Sequence, residues 1–247
     1  YVVEYTGKRV WHVNLTINAK VELKALGFRA HGCALGNGVL FVAETSGSRV
    51  TKVGLTSPYA YSTVVSGLSW PASVVLNEPK SVMYVAERSA DQVRRVFLHA
   101  NNTESSKEVA VSGITSAEGL ALSKDGSVLY VGQFASSGSV WRVPLSTSGE
   151  VAATDSMKIA SSLNKPRGLL LSADDTLLYV AETNGGKVHR YELVSESYAS
   201  LTVQSGMSYP FGLALTPGGD KLIVSEITAN TVSYLSPLPA YPFAYTE

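Results

Sequence analysis

The sequence predicts an all-β fold, a six-bladed β-propeller made of four-stranded antiparallel blades. Three observations lead to this prediction. A hairpin motif occurs six times, and a short apolar run occurs five times at intervals of about 40 to 50 residues. The composition is rich in turn-forming residues and only 16% charged, which is typical of short strands joined by polar turns.

The hairpin motif is an aromatic or aliphatic residue followed by Val, a small residue and Glu, then a polar turn, then an alternating segment that ends near Leu. Its copies cover residues 1–15, 41–55, 84–98, 130–145, 179–193 and 223–235. Apolar residues alternate with polar ones on both sides of a turn rich in Ser, Thr, Gly and Asn. This period of two around a turn predicts a β-hairpin.

A second pair of strands is predicted upstream of five of the hairpins. Its apolar runs are 32–35, 72–76, 119–122, 168–171 and 212–215, and the first inner-strand residue recurs as Gly32, Ala72, Gly119, Gly168 and Gly212. Turn signals such as Lys124-Asp-Gly126 separate these runs from the hairpins. Each period then holds four short antiparallel strands, which is one propeller blade.

Six hairpins but five upstream pairs predict that the chain begins inside a blade, at its third strand. We therefore expect five complete blades and an incomplete sixth that the N-terminus begins. Residues 1–235 are predicted to form a single propeller domain, and residues 236–247 form a proline-rich tail that is a candidate ring-closing strand. Two interpretations stay open: the tail or further chain segments close the ring, or another copy of the protein donates strands.

Charge and cysteine content narrow the function classes. Twenty basic and twenty acidic residues balance, so we expect no binding to nucleic acid. A single cysteine, Cys33, excludes a disulfide within the chain and a cysteine zinc site. No apolar run approaches the length of about eighteen residues that a membrane helix needs, so we expect no membrane insertion. Sequons at Asn14 and Asn101 predict glycosylation and an extracellular or secreted protein.

The segment from Arg167 to Thr183, followed by Lys187-Val-His-Arg190, resembles NHL repeats and the blades of gluconolactonase-like and strictosidine-synthase-like propellers. The resemblance covers nearly all of the chain. It implies a six-bladed propeller, but these families include hydrolases, lyases, synthases and binding scaffolds, so it does not imply one activity.

Gluconolactonase-like enzymes hold a divalent cation in the central channel, with oxygen ligands that include the residues just before the inner-strand glycine. This sequence departs from that pattern. The residues at this position are His31, Ala72, Glu118, Arg167 and Phe211. Because neither Asn nor Asp is present there, and because Arg167 neighbours Glu118, we expect no metal site and no cofactor.

The recurring acids Glu4, Glu44, Glu87, Glu182 and Glu226 form a predicted carboxylate ring at the ends of the third strands, with Gln133 in the remaining blade. A basic residue follows five positions later in three units, as Arg9, Arg49 and Lys187. These pairs predict cross-strand contacts. We therefore interpret the carboxylate ring as structural.

His31, Glu118, Arg167 and Phe211 are expected to meet at one mouth of the channel, where they form a candidate site for an anionic or polar ligand. No residue is assigned a catalytic role. The leading hypothesis is a non-catalytic extracellular interaction or structural module, one that binds a protein or glycan partner or, by strand donation, other copies of itself in a larger assembly or filament. The alternative is a metal-dependent lactonase-like hydrolase, or a related propeller enzyme, with its site at this mouth.

Overall fold

A computed structural model of the 247-residue chain describes residues 1–4, 6–14, 19–147, 149–195, 197–216 and 218–235. These residues fold into six antiparallel sheets that follow one another along the chain. The fold is an all-β propeller, as predicted.

The first three sheets hold the strands up to β11. The first contains β1 (Val2–Glu4), β2 (Arg9–Asn14) and β3 (Ala19–Ala25). The second contains β4 (Ala30–Gly36), β5 (Val39–Glu44), β6 (Arg49–Gly54) and β7 (Tyr61–Ser66). The third contains β8 (Pro71–Asn77), β9 (Val82–Glu87), β10 (Gln92–Leu98) and β11 (Glu104–Ser112).

The remaining strands form three further sheets. The fourth contains β12 (Ala117–Leu122), β13 (Val128–Gln133), β14 (Gly138–Pro144) and β16 (Lys158–Leu163). A short strand, β15 (Val151–Ala152), lies between β14 and β16 in the sequence but does not belong to this sheet. The strand β15 pairs in parallel with β11 of the third sheet. The fifth contains β17 (Pro166–Leu171), β18 (Leu177–Glu182), β19 (Lys187–Glu192) and β20 (Ser200–Gln204). The sixth contains β21 (Pro210–Leu215), β22 (Leu222–Glu226) and β23 (Thr231–Leu235).

Helical structure in the described residues is confined to four single turns of 3-10 helix. They span Thr45–Gly47, Glu78–Lys80, Arg88–Ala90 and Asp155–Met157. None of these turns has the length of a membrane-spanning helix.

The order of strands corrects the predicted position of the hairpins. Each recurring hairpin is the second and third strand of a sheet, not the third and fourth, so the chain begins at a second strand. The fourth strand follows the hairpin, and its pairing with the third strand is bulged in every sheet that has one. Because bulges break the period of two, the fourth strands share no repeating pattern that self-comparison could detect.

The number of complete blades is also smaller than predicted. Within the described residues, four sheets have four strands of their own, and the first and sixth have three each. Five sheets begin with an inner strand (β4, β8, β12, β17 or β21), and neighbouring inner strands contact one another around the channel. The first sheet begins with β1 at the second position. The described residues therefore make five blades with an inner strand, not six. The predicted tail, residues 236–247, lies outside the described residues.

The core lies between sheets. Five buried apolar clusters each join two consecutive sheets, from the pair of the first and second to the pair of the fifth and sixth. A blade cannot bury both of its faces alone, so this stacking is the main source of stability. Among the described residues no such cluster joins the sixth sheet to the first.

Candidate ligand-binding mouth

Three positions of each blade place side chains at the same end of the channel, which we call the mouth. They are the residue before the inner strand, the second residue of the inner strand, and the residue that follows the second strand. At these positions, some side chains recur and join neighbouring blades, and others differ from the repeat.

In two blades the residue after the second strand is a threonine that ties its blade to the next. The Thr45 hydroxyl donates to the Pro71 carbonyl at 2.9 Å, and the Thr183 hydroxyl donates to the Pro210 carbonyl at 2.8 Å. Both hydrogen bonds are buried and join consecutive blades. A threonine at this position is therefore a structural fastener.

In the two blades between them, Arg88 and Phe134 replace the threonine. The Arg88 guanidinium lies 3.2 Å from Oε2 of the buried Glu118 in the next blade, measured from Nη1. Arg167, one blade further on, places Nε 2.8 Å from Oε1 of the same carboxylate. Glu118 therefore bridges two guanidinium groups that come from the blades on either side of it.

The Phe134 ring packs against these guanidinium groups and against a third cation, Lys165. The Arg88 and Arg167 guanidinium carbons lie 3.9 Å and 4.2 Å from its centroid, and Lys165 Nζ lies 5.0 Å from it. Contacts of this kind are worth roughly 0.5–2 kcal/mol each. Because both Phe134 and Glu118 contact the two guanidinium groups, the positions and planes of these groups are fixed.

His31 completes the mouth between two further aromatic side chains. Its ring packs edge-on against Trp70 and Phe211, with centroids 6.5 Å and 5.7 Å apart. Burial, reinforced by the charges of Arg167 and Arg88, lowers the pKa of His31 to about 4. The imidazole is therefore neutral at physiological pH.

We call His31, Trp70, Arg88, Glu118, Phe134, Lys165, Arg167 and Phe211 the mouth cluster. Its three cations outnumber its one carboxylate, so the cluster carries a net charge of +2 in a chain whose formal net charge is zero. Burial raises the pKa of Glu118, while Arg167, Arg88 and Lys165 act to lower it. With both guanidiniums in direct contact, the ionised form of Glu118 is favoured.

Exposed apolar side chains lie beside the strand ends at the mouth. Phe28, Trp70, Tyr209 and Ile227, which we call the rim, are 38%, 40%, 47% and 48% exposed. Three residues that precede inner strands, Trp70, Lys165 and Tyr209, have left-handed φ angles of 55°, 58° and 59°. This conformation costs non-glycine residues on the order of 1 kcal/mol each. The approach loops therefore present two aromatic rings and one cation from a backbone conformation that the surrounding packing must stabilise.

The four residues predicted for the mouth do come together there. Glu118 contacts Arg167, the Arg167 guanidinium lies 4.9 Å from the Phe211 ring, and Phe211 packs against His31. Sequence reasoning missed four other members of the mouth cluster: Trp70, Arg88, Phe134 and Lys165. A signal was present, because each stands beside a repeat landmark, either just before an inner strand or just after the recurring acid, where it breaks the pattern of the other blades.

The predicted carboxylate ring lies at the ends of second strands, not third strands. Three of its members each cap a backbone amide of the loop that approaches their blade. These contacts are Ser69 N to Glu87 Oε1, Asn164 N to Glu182 Oε1 and Ser208 N to Glu226 Oε2, each 2.8 Å. The first two hydrogen bonds are partly buried and the third is exposed. Donors that lose water need such partners, so these glutamates hold the loops that form the mouth.

The second partner of these acids differs from the predicted one in most blades. In four blades it stands seven residues after the acid, and the contacts are Trp11 to Glu4, Arg94 to Glu87, His189 to Glu182 and Ser233 to Glu226, at 2.6–3.1 Å. Arg9 and Lys187 lie opposite Glu4 and Glu182 in register, but do not make the predicted contact. Diagonal neighbours are within reach of long side chains. Glu44 matches the prediction, with Arg49 Nε 2.6 Å away, and it also bonds Tyr61.

The other predicted sites lie away from the mouth cluster. Asn101 is exposed, and its side-chain oxygen accepts hydrogen bonds from Thr103; the sequon at Asn14 extends into residues outside the described part of the chain. Burial raises the pKa of the Cys33 thiol to about 11, which disfavours a reactive thiolate. Within the described residues, no group of three His, Cys, Asp or Glu side chains is placed to hold a metal ion.

Comparison with known proteins supports the fold. No protein-family model and no curated protein sequence matches the chain. Solved structures match well at low sequence identity. A chain of the nidogen/laminin complex matches with a TM-score of 0.77 and 13% identity over 92% of this chain and 86% of its own.

Two enzyme structures also match this chain, each at 15% sequence identity. The PQQ-bound aldose sugar dehydrogenase of Streptomyces coelicolor matches with a TM-score of 0.73 and 15% identity, covering 94% of this chain and 88% of its own. A putative 6-phosphogluconolactonase from Bacteroides uniformis matches with a TM-score of 0.65 and 15% identity, covering 92% and 72%. At such identities the likeness shows the β-propeller fold and leaves the function to be argued from the site.

Proposed function

We propose that the protein is a non-catalytic interaction module, and that its mouth binds an acidic segment of a protein partner. The excess of cations in the mouth cluster carries this proposal. Arg88, Lys165 and Arg167 lie around the one carboxylate of the mouth cluster, Glu118, so the cluster has a net charge of +2 that attracts an anionic ligand.

A carboxylate ligand fits the geometry of the guanidinium groups. Glu118 already occupies one edge of each, and their planes are fixed by the Phe134 ring. Planar, preorganised guanidiniums bind carboxylates in two-point contacts that lysine alone does not make. A carboxylate of a ligand would contact the guanidinium groups of Arg88 and Arg167 in the same way as Glu118 does.

The rim favours a protein as the source of that carboxylate. Tyr and Trp at the edge of a charged pocket are typical anchors of protein interfaces. Trp70 and Tyr209 supply such rings, and the exposed Ile227 adds an aliphatic contact that suits a peptide side chain better than a sugar hydroxyl. The nidogen/laminin complex, one of the similar structures, is itself an assembly of two proteins.

The hydrolase alternative has less support in the site. Glu118, the carboxylate in the mouth cluster, is engaged by two guanidiniums. His31 lies between aromatic rings with its pKa at about 4. A cation brought to this site would meet three positive charges, whereas an anion would be attracted.

A binding measurement with a defined probe tests the proposal. A fluorescein-labelled peptide of alternating Glu and Leu is titrated with the protein at low and at physiological salt, beside a Gln and Leu peptide and an oligogalacturonate. We expect the acidic peptide to bind, with an affinity that falls as salt rises because the attraction is ionic. Binding of the Gln peptide with equal affinity would contradict the charge argument, and preference for the oligogalacturonate would identify a glycan partner instead.

Two lysines provide a matched pair of variants. Lys165 and Lys158 each lie over an aromatic ring, at 5.0 Å from Phe134 and 5.3 Å from Trp141, but only Lys165 belongs to the mouth cluster. We expect Lys165→Gln to weaken the acidic peptide about tenfold, which is ~1.4 kcal/mol, and Lys158→Gln to leave its affinity unchanged. An equal effect of both would show non-specific attraction.

We further propose that the protein acts outside the cell as a glycoprotein, on the strength of its sequons. Asn101 is exposed in a turn. Expression through a eukaryotic secretory pathway should add a glycan to Asn101, visible as a mass increase that Asn101→Gln removes. An unmodified Asn101 in the secreted protein would count against this location.

A further inference from the structure

We propose that residues 242–247 of this chain form the inner strand of the first sheet, in the position beside β1 that the described residues leave open. The inference is independent of the proposed ligand. Three observations on the described residues define the open position, and two on the sequence identify the occupant.

The first observation concerns the inner-strand glycines. A Cβ built on Gly119 would lie 2.0 Å from the Arg167 carbonyl, and one on Gly168 would lie 2.1 Å from the Phe211 carbonyl. These glycines are needed because the inner strand of the next blade passes so closely. Gly212 is the equivalent residue of β21, and a Cβ there would meet only the hydroxyl of Ser225 in its own blade, at 3.0 Å. Gly212 therefore occupies the position at which Gly119 and Gly168 contact the next inner strand, but no such strand lies beside it among the described residues.

The second and third observations concern exposure and packing. Inner strands β4 and β21, which flank the position, are more exposed than β8 and β12, and Leu35 of β4 is 57% exposed. Within the described part of the chain, no apolar cluster joins the sixth sheet to the first, although every other consecutive pair of sheets has one. Among the described residues, the position between β21 and β4 therefore interrupts the core and leaves an apolar side chain, Leu35, exposed.

The tail repeats the sequence with which an inner strand of this chain begins. Its sequence Tyr241-Pro-Phe-Ala244 repeats Tyr209-Pro-Phe-Gly212, which enters β21. Proline also begins β8 and β17, so it is the usual first residue of an inner strand in this chain. Six residues remain from Pro242 to Glu247, the length of β21.

Side-chain sizes match across the open position. In two consecutive blade pairs, the inner-strand glycine faces a leucine of the next blade, with Gly119 Cβ 3.1 Å from Leu169 Cγ and Gly168 Cβ 3.1 Å from Leu213 Cγ. In the register of those strands, Cys33 is the equivalent of both leucines, because each pairs with a valine of its second strand just after the bulge. Where the tail offers Ala244 in place of glycine, β4 offers the smaller Cys33 in place of leucine. The equivalent position of β8 is Ser73, so the spacing of inner strands accepts a Cβ at this position in another blade.

The connection is short but sufficient. From the end of a third strand to the next inner strand, the chain takes from 16 residues (Asn14 to Ala30) to 22 residues (Pro144 to Pro166), because it forms a fourth strand on the way. From Leu235 to Pro242 it has seven. Seven extended residues span at most about 25 Å, more than the ~17 Å length of a five-residue strand. The tail can therefore return directly to the mouth end without adding a fourth strand, and the tether favours its own chain through a high effective concentration.

The single native cysteine allows a direct test. In the proposed position Ala244 lies against Cys33, so Ala244→Cys should form a disulfide with Cys33 under mild oxidation, detected by non-reducing peptide mass mapping. Leu238→Cys, in the connecting segment, is the control. We expect Cys33 to be linked to position 244 in most molecules of the first variant, within monomers and independently of protein concentration. The control variant should show less than a tenth as much linkage between Cys33 and position 238.

Two other outcomes would overturn the proposal. Links between chains, increasing with concentration, would show that the tail fills the open position of a second copy, which is strand donation. Absence of a link above that of Leu238→Cys would show that the tail does not occupy the position.

A second measurement does not depend on oxidation. Gly212→Ala should destabilise the full chain about as much as Gly168→Ala, because the carbonyl of Phe243 would lie against the added Cβ. A mild effect of Gly212→Ala, as expected where the Cβ meets only the movable hydroxyl of Ser225, would mean that no strand is present beside Gly212.

Discussion

At the scale of single residues, the position after the second strand decides what a blade contributes to the mouth. A threonine there uses its hydroxyl to fasten the next blade, as Thr45 and Thr183 do. Arg88 also contacts the next blade, through Glu118, and its side chain is 26% exposed. The residue at this position therefore joins neighbouring blades in either case, and under the proposed function Arg88 also attracts the ligand.

His31 gives the first prediction at this scale. Its pKa is lowered to about 4 in the folded protein, mainly by burial, against an ordinary value of 6.5. Between these values the unfolded chain binds a proton that the folded chain does not. The His31 contribution to stability is therefore intact above about pH 6.5 and is lost as the pH falls toward 4, by on the order of 3 kcal/mol.

Urea unfolding of wild type and His31→Gln between pH 7 and pH 4 measures this contribution. We expect the variant to lose less stability than wild type over that interval. His99→Gln, which alters an exposed histidine, is the control and should follow wild type. Parallel curves for wild type and His31→Gln would show that the imidazole is protonated in the folded state.

At the scale of elements, the inner strands are the least tolerant of added volume. Gly119 is the clearest case, because a Cβ there would lie 2.0 Å from the backbone carbonyl of Arg167. A backbone atom cannot move aside as a side chain can, so Gly119→Ala must displace a whole strand. We expect a loss of about 3 kcal/mol or more in the free energy of unfolding.

Thermal or urea unfolding checks this expectation against Gly27→Ala. The nearest atom to a Cβ on Gly27 is the Arg49 guanidinium at 3.7 Å, an ordinary contact. Gly27→Ala should therefore stay within about 0.5 kcal/mol of wild type. Similar stability of the two variants would mean that the spacing of β12 and β17 is wider than described.

The strands that sequence reasoning could place are those whose pattern is set by burial. Second strands such as β9, VMYVAE, are buried throughout, so the same residue types recur and the hairpins and inner strands are predictable. Fourth strands such as β7 and β20 have exposed residues at several positions and bulged pairing, so many sequences satisfy them. The prediction therefore assigned the hairpins to the third and fourth strands.

The candidate site was predictable only in part for a related reason. His31, Glu118, Arg167 and Phe211 share one repeat position, and a comparison of blades finds them. Arg88 and Phe134 occupy another position, which repeats as threonine in two blades and as Ile227 in a third. Their contact with Glu118 and Arg167 depends on how far each blade turns from the next, which is a property of packing and not of local sequence.

At the scale of the whole molecule, charge is balanced overall but not at the mouth. Twenty basic and twenty acidic residues cancel, while the mouth cluster keeps a charge of +2. A neutral molecule with a local positive field attracts an acidic group at short range without binding polyanions along its whole surface. This distribution fits a module that selects one segment of a partner.

Metal dependence is predicted at this scale as well. Because Glu118 is satisfied by Arg88 and Arg167, a divalent cation has no favourable place in the mouth cluster. We expect the melting temperature to be the same, within about 1 °C, in EDTA and in millimolar calcium, since a ligand that does not bind the native state does not stabilise it. A rise of several degrees in calcium would favour the lactonase-like alternative.

The glutamates that end the second strands fix the backbone of the approach loops, whereas other residues of those loops present side chains at the mouth. Each of Glu87, Glu182 and Glu226 holds the amide of an approach loop, so the path of that loop does not depend on the side chain presented next to the inner strand. Trp70, Lys165 and Tyr209 can then differ completely while their backbone keeps the same left-handed turn. For protein engineering, this makes the propeller a display scaffold: the mouth positions could be randomised together in a library, and new specificities selected, while the anchoring carboxylates are kept constant.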